Sequence, residues 1–301
     1  MKDTRLVEMR VFRAVAEAGG FTAAARTLGV SQSFVSQTVS DLERRLGVAL
    51  LHRSTRAHRL TPEGENYLAA ARRLLDAIDV AEGELRPDEP AGVLRVTAPR
   101  AFGADQVVPR MPEFLSRHPR VSLRLSLSDQ MASLLEDGFD VAIRMGRLQD
   151  PSLASRPLAR LQRIVVAAPA YIERHGTPAT PQDLARHEGL LWEPPMEHLN
   201  RWPFVSDGHA QEVTVRGRLH SSDGSALFQW CLAGAGVMRL AEHLALPAIR
   251  RGALVPLLQA HQAHDDLAIH AVFLPARQRV PRVRAFVDFL AEAFRDPPWA
   301  R

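Results

Sequence analysis

The segment Ser31-Gln32-Ser33-Phe34-Val35-Ser36-Gln37-Thr38-Val39-Ser40-Asp41-Leu42-Glu43-Arg44-Arg45-Leu46-Gly47 reads as a helix with two unlike faces. Val35, Val39, Leu42 and Leu46 recur at i, i+4, i+7 and i+11, which is one buried stripe of an α-helix. Ser31 is placed to cap its start, because a Ser hydroxyl accepts from an unpaired N–H of the first turn. Gly47 marks its stop. With the stripe turned inward, the first turns present Gln32, Ser33, Ser36 and Gln37. Gln addresses adenine edges through paired hydrogen bonds, and Ser meets either a base edge or a phosphate, so this face suits the major groove of DNA.

Upstream, Leu6, Met9, Phe12, Val15 and Ala16 predict a first helix ending at Gly19-Gly20. Phe21 to Leu28 predicts a short second one, with Phe21, Ala24, Ala25 and Leu28 on one face, where the alanines let another helix approach closely. Gly29-Val30 supplies the tight turn into the third. Downstream, Leu50 to Leu60 reads as a hairpin with a basic tip, a wing that grips the flanking backbone or the adjacent minor groove. Between Glu43 and Glu63 lie Arg44, Arg45, Arg53, Arg56 and Arg59, with His52 and His58 and no acidic residue. On charge alone that segment is equally a phosphate footprint or a solvated face.

In order and spacing, Phe21-Thr22-Ala23-Ala24-Ala25, Leu28-Gly29-Val30-Ser31-Gln32-Ser33, Val35-Ser36, Leu42-Glu43, Leu46-Gly47, Arg53 and Leu60-Thr61-Pro62-Glu63-Gly64 resemble the signature of LysR-type transcriptional regulators. The resemblance implies a winged helix-turn-helix over residues 1–60. Its DNA-contacting set would be Thr22, Ser31, Gln32, Ser33, Ser36 and Gln37, with Arg53, Ser54, Thr55 and Arg56 in the wing. The chain departs from the family at Gly20, where a capping Ser is usual, and at Ser33, where Pro is common. The first departure weakens one helix start by roughly a few tenths of a kcal/mol; the second bears on sequence preference.

Thr61-Pro62 opens a further helix, with proline at the first position, where its missing N–H costs nothing. Tyr67, Leu68, Ala71, Leu74, Leu75, Ile78 and Leu85 then form an apolar seam among Arg72, Arg73, Asp76, Asp79, Glu82 and Glu84. This linker helix is expected over 61–86, with a hinge over 87–91 where Arg86-Pro87-Asp88-Glu89-Pro90 breaks it. The seam packs either on the chain's own second domain or on a second copy. Its length, and the dimerising linker that the resemblance implies, favour a homodimer. Two-fold symmetry would then place two recognition helices on an inverted repeat in double-stranded DNA.

From Gly92 strands and helices alternate. Val93 to Pro99, Val121 to Leu127 and Phe139 to Arg144 read as strands, with a helix from Gly103 to His118, which indicates a parallel α/β sheet. A second such block begins at Arg163 and includes Val213 to Gly217, a helix at Ala226 to Ala233 and Val237 to Leu240. The chain then returns through Leu267 to Phe273 and ends in a helix at Pro281 to Phe294. This gives an effector-binding domain over 92–301, with one lobe from 92–162 and 267–301 and the other from 163–266. Two such lobes are similar to periplasmic binding proteins and to the LysR effector domain. Ala98-Pro99 with Phe102-Gly103, Asp140-Val141-Ala142-Ile143-Arg144-Met145-Gly146, Ala168-Pro169-Ala170-Tyr171 and Gly234-Ala235-Gly236-Val237 carry that likeness.

In such a fold ligands sit between lobes, at strand ends and helix starts. That nominates Pro99, Arg100, Ala101, Phe102 and Gly103, then Ser128 and Asp129, then Arg144 and Gly146, and across the cleft Ser221, Ser222, Asp223 and Gly224. Arg100 and Arg144 either pair with an anionic effector or are held by neighbouring acids and solvent. Phe102 and Trp192 either line the pocket or belong to the core. The resemblance further implies a homotetramer built as a dimer of dimers, and RNA polymerase is a candidate partner.

The whole chain has 301 residues, 46% hydrophobic and 24% charged, with net charge +4, enough for two or three folded units and against disorder. No apolar run reaches the roughly 20 residues that cross a bilayer, and Met1-Lys2-Asp3-Thr4-Arg5 has no signal-peptide pattern, so a cytoplasmic protein is expected. The single cysteine, Cys231, excludes an intrachain disulfide and reads as a buried thiol. No phosphate-binding loop, Gly-x-Ser-x-Gly elbow or His-Glu-x-x-His motif argues for an enzyme, and no cofactor is expected. Gly234-Ala235-Gly236 is too short for a dinucleotide fingerprint. His261, His264, Asp265 and Asp266 read as a surface loop rather than a cation site.

Overall fold

The computed structural model describes residues 4–52, 59–85, 90–130, 134, 137–146, 148, 150–264 and 267–300. The chain divides into two compact units. One is Met1–Glu89 with Leu135–Gly138 and Arg279–Pro281, and the other is Pro90–Leu134 with Phe139–Gln278 and Arg282–Arg301.

The first unit contains α1 (Thr4–Ala18), α2 (Phe21–Leu28), α3 (Gln32–Leu46) and α4 (Pro62–Leu85). Phe12, Val15, Ala24, Ala25, Val35, Val39 and Leu42 close its core, together with Leu50, Leu51 and Leu68. The predicted stripe loses its last member, since Leu46 is 36% exposed at the end of α3, beyond that core. Ser31 caps α3 by accepting from the N–H of Phe34 at 3.2 Å, and Gly47 ends it at φ 74°. Gly20 precedes α2 without a side-chain cap, as the sequence implies. Glu8 is buried on α1 and accepts from Nε of Arg45 at 3.0 Å and from its Nη2, which fixes the last turn of α3 against α1.

The root of the wing is held from both sides. Oε1 of Glu43, on α3, accepts from the N–H groups of Leu50 and Leu51 at 2.7 and 3.2 Å. Leu51 and Leu60 form an antiparallel bridge, and Thr61 Oγ1 donates to Ala49 O at 2.8 Å while accepting from the N–H of Gly64 at 3.0 Å. A Cβ on Gly64 would lie 2.1 Å from Leu50 O, so only glycine lets the wing root cross the start of α4 this closely.

In the second unit, one lobe has a five-stranded sheet in the order β2-β1-β3-β12-β4, with β1 Gly92–Ala98, β2 Val121–Leu127, β3 Val141–Met145, β4 Ala154–Leu161 and β12 Leu267–Phe273. β1 runs parallel to β2 and β3, whereas β12 is antiparallel to both β3 and β4. The sheet is thus mixed rather than purely parallel, because the chain returns from the other lobe between β3 and β4 in the opposite sense. β4 carries no strand signal in the sequence, since Arg156, Pro157 and Arg160 break its apolar alternation. The predicted helix at Gly103 begins three residues earlier, as α5 (Arg100–Phe102), passes through a π turn and a tight turn, and resumes as α6 (Met111–Arg117).

The other lobe contains β5 (Arg163–Ala167), α7 (Pro169–His175), β6 (Leu190–Trp192), β7 (Arg201–Ser206), β8 (His209–Thr214), β9 (Leu219–Ser221), α8 (Gly224–Leu232), β10 (Met238–Ala241), α9 (Glu242–Arg250) and β11 (Val255–Pro256). β10 and β11 flank β5 antiparallel, β6 and β9 pair in parallel, and β7 and β8 form a hairpin. This corrects the second parallel block expected from the sequence, and Val213 belongs to the hairpin. The chain closes with α10 (Pro281–Ala293).

No described helix is long and apolar enough to cross a membrane. Cys231 is fully buried on α8, its thiol directed at Val166 O, and burial pushes its pKa up to about 12. The folded protein is therefore expected to leave Ellman's reagent unreacted at pH 8 and to titrate one thiol only in denaturant; rapid native labelling would contradict the buried position.

Candidate DNA interface and effector cleft

The buried stripe of α3 leaves Gln32, Ser33, Ser36 and Gln37 exposed, and Thr22 and Ser31 are exposed as well. Ser31 Oγ lies 3.0 Å from Ser33 Oγ, so the cap and the next hydroxyl share a hydrogen bond. Gln37 Nε2 donates to Asp41 Oδ1 at 2.9 Å, and Arg44 reaches the same oxygen at 2.5 Å. The Gln37 amide is thereby oriented along the helix surface. A further exposed side chain stands beside these polar ones. Phe34 is 44% exposed in the first turn of α3, an apolar group of the kind that meets a thymine methyl. Its signal was legible, because it lies off the Val35, Val39, Leu42 stripe. The wing residues Arg53, Ser54, Thr55 and Arg56 lie outside the described residues.

On the second unit, four of the nominated residues meet between the lobes. Arg100 follows Pro99 after β1, and its N–H donates to Asp129 Oδ1 at 2.9 Å. Asp129 Oδ2 accepts from the N–H of Gly224 at 3.4 Å, and Gly224 is the first residue of α8 in the opposite lobe. Arg100 Nε lies 3.0 Å from Asp223 Oδ2, while Oδ1 of Asp223 caps α8 by accepting from the N–H of Ser225 at 2.8 Å. Ser221 Oγ accepts from the N–H of Asp223, and Ser128 Oγ from that of Gln130. Ser222 is exposed and Ala101 half-buried.

A second tie runs from Asp105, after α5, to the buried His243 of α9, whose Nδ1 lies 3.2 Å from Asp105 Oδ2. Burial raises the Asp105 carboxyl, but hydrogen bonds from His243 and Gln106 outweigh it and hold the group below its usual range.

Two nominations prove to be core. Phe102 is 1% exposed and packs against His243, Phe294 and Trp299, with ring centroids 5.2 to 6.0 Å apart. Gly103 is buried where a Cβ would fall 2.3 Å from Leu127 Cδ2, so its smallness serves β2 packing rather than ligand approach. Trp192 is half-buried over Gly224, where a Cβ would lie 2.7 Å from its ring. Arg144 and Gly146 sit at the end of β3. There the register sets Arg144 opposite His270, and the Gly146 N–H donates to Ala268 O at 2.9 Å.

No group of three or more metal-ligating side chains occurs among the described residues. His261 is hydrogen-bonded to Ser206, His264 lies beside Gln162, and Asp265 and Asp266 fall outside the described residues.

Comparison with known proteins identifies the family. Residues 6–65 match the family described as the bacterial regulatory helix-turn-helix protein, lysR family, and residues 87–295 match the LysR substrate binding domain. An HTH-type transcriptional repressor of Pseudomonas aeruginosa is 37% identical over 98% of this chain and 93% of its own length. The regulator CrgA of Neisseria meningitidis is 35% identical over 96% of this chain and 97% of its own. The solved structure of CrgA superposes with a TM-score of 0.65 at 34% identity, covering 96% of this chain and 98% of that one. Full-length AphB of Vibrio cholerae does so with a TM-score of 0.62 at 26% identity, covering 97% and 99%. With its N-terminal winged helix-turn-helix and its two-lobed effector domain, the chain belongs to the LysR family of bacterial transcriptional regulators and is not an enzyme.

Proposed function

We propose that the protein acts in the cytoplasm as a dimer or dimer of dimers that reads an inverted repeat through Gln32, Ser33, Ser36 and Gln37, with Phe34 beside them. Arg53 and Arg56, with Ser54 and Thr55, grip the backbone or minor groove. A small anionic effector seated among Pro99, Arg100, Ala101, Ser128, Asp129, Ser221, Ser222, Asp223 and Gly224, with Arg144 and Gly146 nearby, shifts the lobe arrangement and hence transcription, with RNA polymerase as the downstream partner. A ligand shifts that equilibrium only by its differential affinity for the two arrangements. A tenfold difference, about 1.4 kcal/mol, already makes a measurable switch.

The observation that carries the DNA reading is the exposed polar face of α3 set opposite its buried stripe. Gln37→Ala is expected to relax preference at one or two operator positions by about 1–3 kcal/mol, measured by binding to a panel of operator variants. Arg53→Ala is expected to weaken all sites evenly and to lower the slope of affinity against salt by about one. An unchanged ranking of operator variants in Gln37→Ala would remove α3 as the reading helix.

A further inference from the structure

We infer that Asp41 is a specificity-determining positioning residue: it holds the NH2 end of the Gln37 amide and leaves the carbonyl oxygen to face DNA, so that α3 selects there for the exocyclic amino group of adenine or cytosine. The inference rests on the reading of α3 as the recognition helix, and adds which chemical group Gln37 reads and what sets that choice.

A glutamine amide carries an acceptor at one end and two donors at the other, and turning it over about its last bond exchanges the two. An untethered Gln therefore answers either the amino groups or the carbonyl oxygens of base edges in the major groove. Gln37 is tethered. Asp41 lies one turn further along the same face of α3, and its Oδ1 accepts from Gln37 Nε2 at 2.9 Å. A carboxylate offers acceptors alone, so chemistry assigns the nitrogen, not the oxygen, to the Asp41 side. The same Oδ1 meets Arg44 Nη1 at 2.5 Å, which holds the carboxylate on the helix surface from its other side. Turning the Gln37 amide over would set its oxygen against that of Asp41.

The tether leaves Oε1 and the second N–H of Gln37 for a base. Every base pair shows the major groove one amino group, adenine N6 or cytosine N4, and one carbonyl oxygen, thymine O4 or guanine O6. An Oε1 that cannot exchange places with its NH2 accepts from the first kind and is repelled by the second. Gln32, the other glutamine of this face, has no such tie among the described residues, and it turns either way. Two glutamines on one helix thus differ in what they discriminate, and Asp41 makes the difference.

Selection of binding sites from a randomised double-stranded DNA library, with the full-length chain and its variants, tests this. The base pair that Gln37 faces is the one whose preference Gln37→Ala flattens. A transition at that pair moves the amino group to the opposite strand, and the wild type is expected to discriminate against it by about tenfold. Asp41→Ala is expected to cut that discrimination to about twofold or less, with preferences elsewhere unchanged, because the freed amide turns over to suit either pair. In the Gln37→Ala background, Asp41→Ala is expected to change nothing at that pair. Deleting the amino group from the preferred base, as deoxynebularine does for adenine, is expected to weaken the wild type about tenfold more than Gln37→Ala. Asp41→Lys is the second variant: its ammonium only donates, so it takes Oε1, turns the NH2 toward DNA and is expected to abolish or reverse the wild-type preference. Ala and Lys are both stronger helix formers than Asp, so neither change works against α3. Discrimination that survives Asp41→Ala or Asp41→Lys would overturn the inference. So would an effect of Asp41→Ala that persists without Gln37, or an amino deletion that costs the wild type no more than Gln37→Ala. If Gln37→Ala flattens no position, the reading of α3 itself falls and the inference with it, a result distinct from each of the others.

Discussion

Asp140→Ala is expected to destabilise the effector-binding unit by about 3–5 kcal/mol, measured by urea unfolding of the full chain. Asp140 is 1% exposed at the entrance to β3. Its Oδ1 meets Arg277 at 2.5 Å and Arg282 at 3.8 Å, and its Oδ2 accepts from the N–H of Arg95 at 2.8 Å, while its own N–H donates to Arg95 O at 2.7 Å. One carboxylate thus registers β1 against β3 and neutralises guanidinium groups that are themselves less than a tenth exposed. Removing it leaves buried positive charge without that counter-charge, which is why breaking a buried pair costs far more than its net worth. Asp140→Asn keeps the shape and one acceptor but not the charge, so a smaller loss is expected. A change under about 1 kcal/mol in Asp140→Ala would show that the arginines find other compensation.

Asp140 also shows what the sequence could and could not carry. Asp140 opens the segment Asp140 to Gly146, yet the arginines it neutralises, Arg277 and Arg282, lie more than 130 positions away, and no local spacing connects an acid to arginines at that range. Local signals fared better. The apolar period of α3, its Ser31 cap and Gly47 stop are set by forces within one helix, and these are in place. The return of the chain through Leu267 to Phe273 was legible as an apolar strand, but its antiparallel direction is a property of topology rather than of any residue. In the cleft, strand-end logic nominated residues near Pro99 and Asp223 that do meet. It could not separate Arg100, which faces the other lobe, from Phe102, two residues on, which turns into the aromatic core, because positions two apart on one turn point to opposite sides and only tertiary packing decides which side meets the other lobe. Nor could the sequence show that Asp129 and Asp223 answer the Arg100 donors, since that balance exists only once two distant segments are brought together.

Replacing Leu74 and Ile78 together with aspartate is expected to lower affinity for an inverted-repeat operator by about 100- to 10,000-fold, while affinity for a single half-site changes little. The reasoning starts from which way the seam of α4 faces. Leu68, Ala71 and Leu75 are buried, Leu75 at 2% exposure, so a charge at Leu75 would test folding rather than assembly. Leu74, at 51% exposure, points the other way. With Ala77, Ile78 and Ala81 it lines an apolar groove whose far wall is Leu6 and Met9 of α1, with Arg5 at its edge. A helix with one apolar stripe buried and a second exposed has two faces to cover, and in the proposed dimer a second copy of the same helix would occupy the second. Linking two α3 helices in this way makes the second half-site contact intramolecular, which is the source of the large factor. Light scattering of the full-length double variant is expected to show a smaller species, and the salt slope of its operator binding is expected to fall toward that of one half-site, because half the phosphate contacts are lost. Unchanged mass together with undiminished preference for the inverted repeat would place the assembly surface elsewhere on the chain.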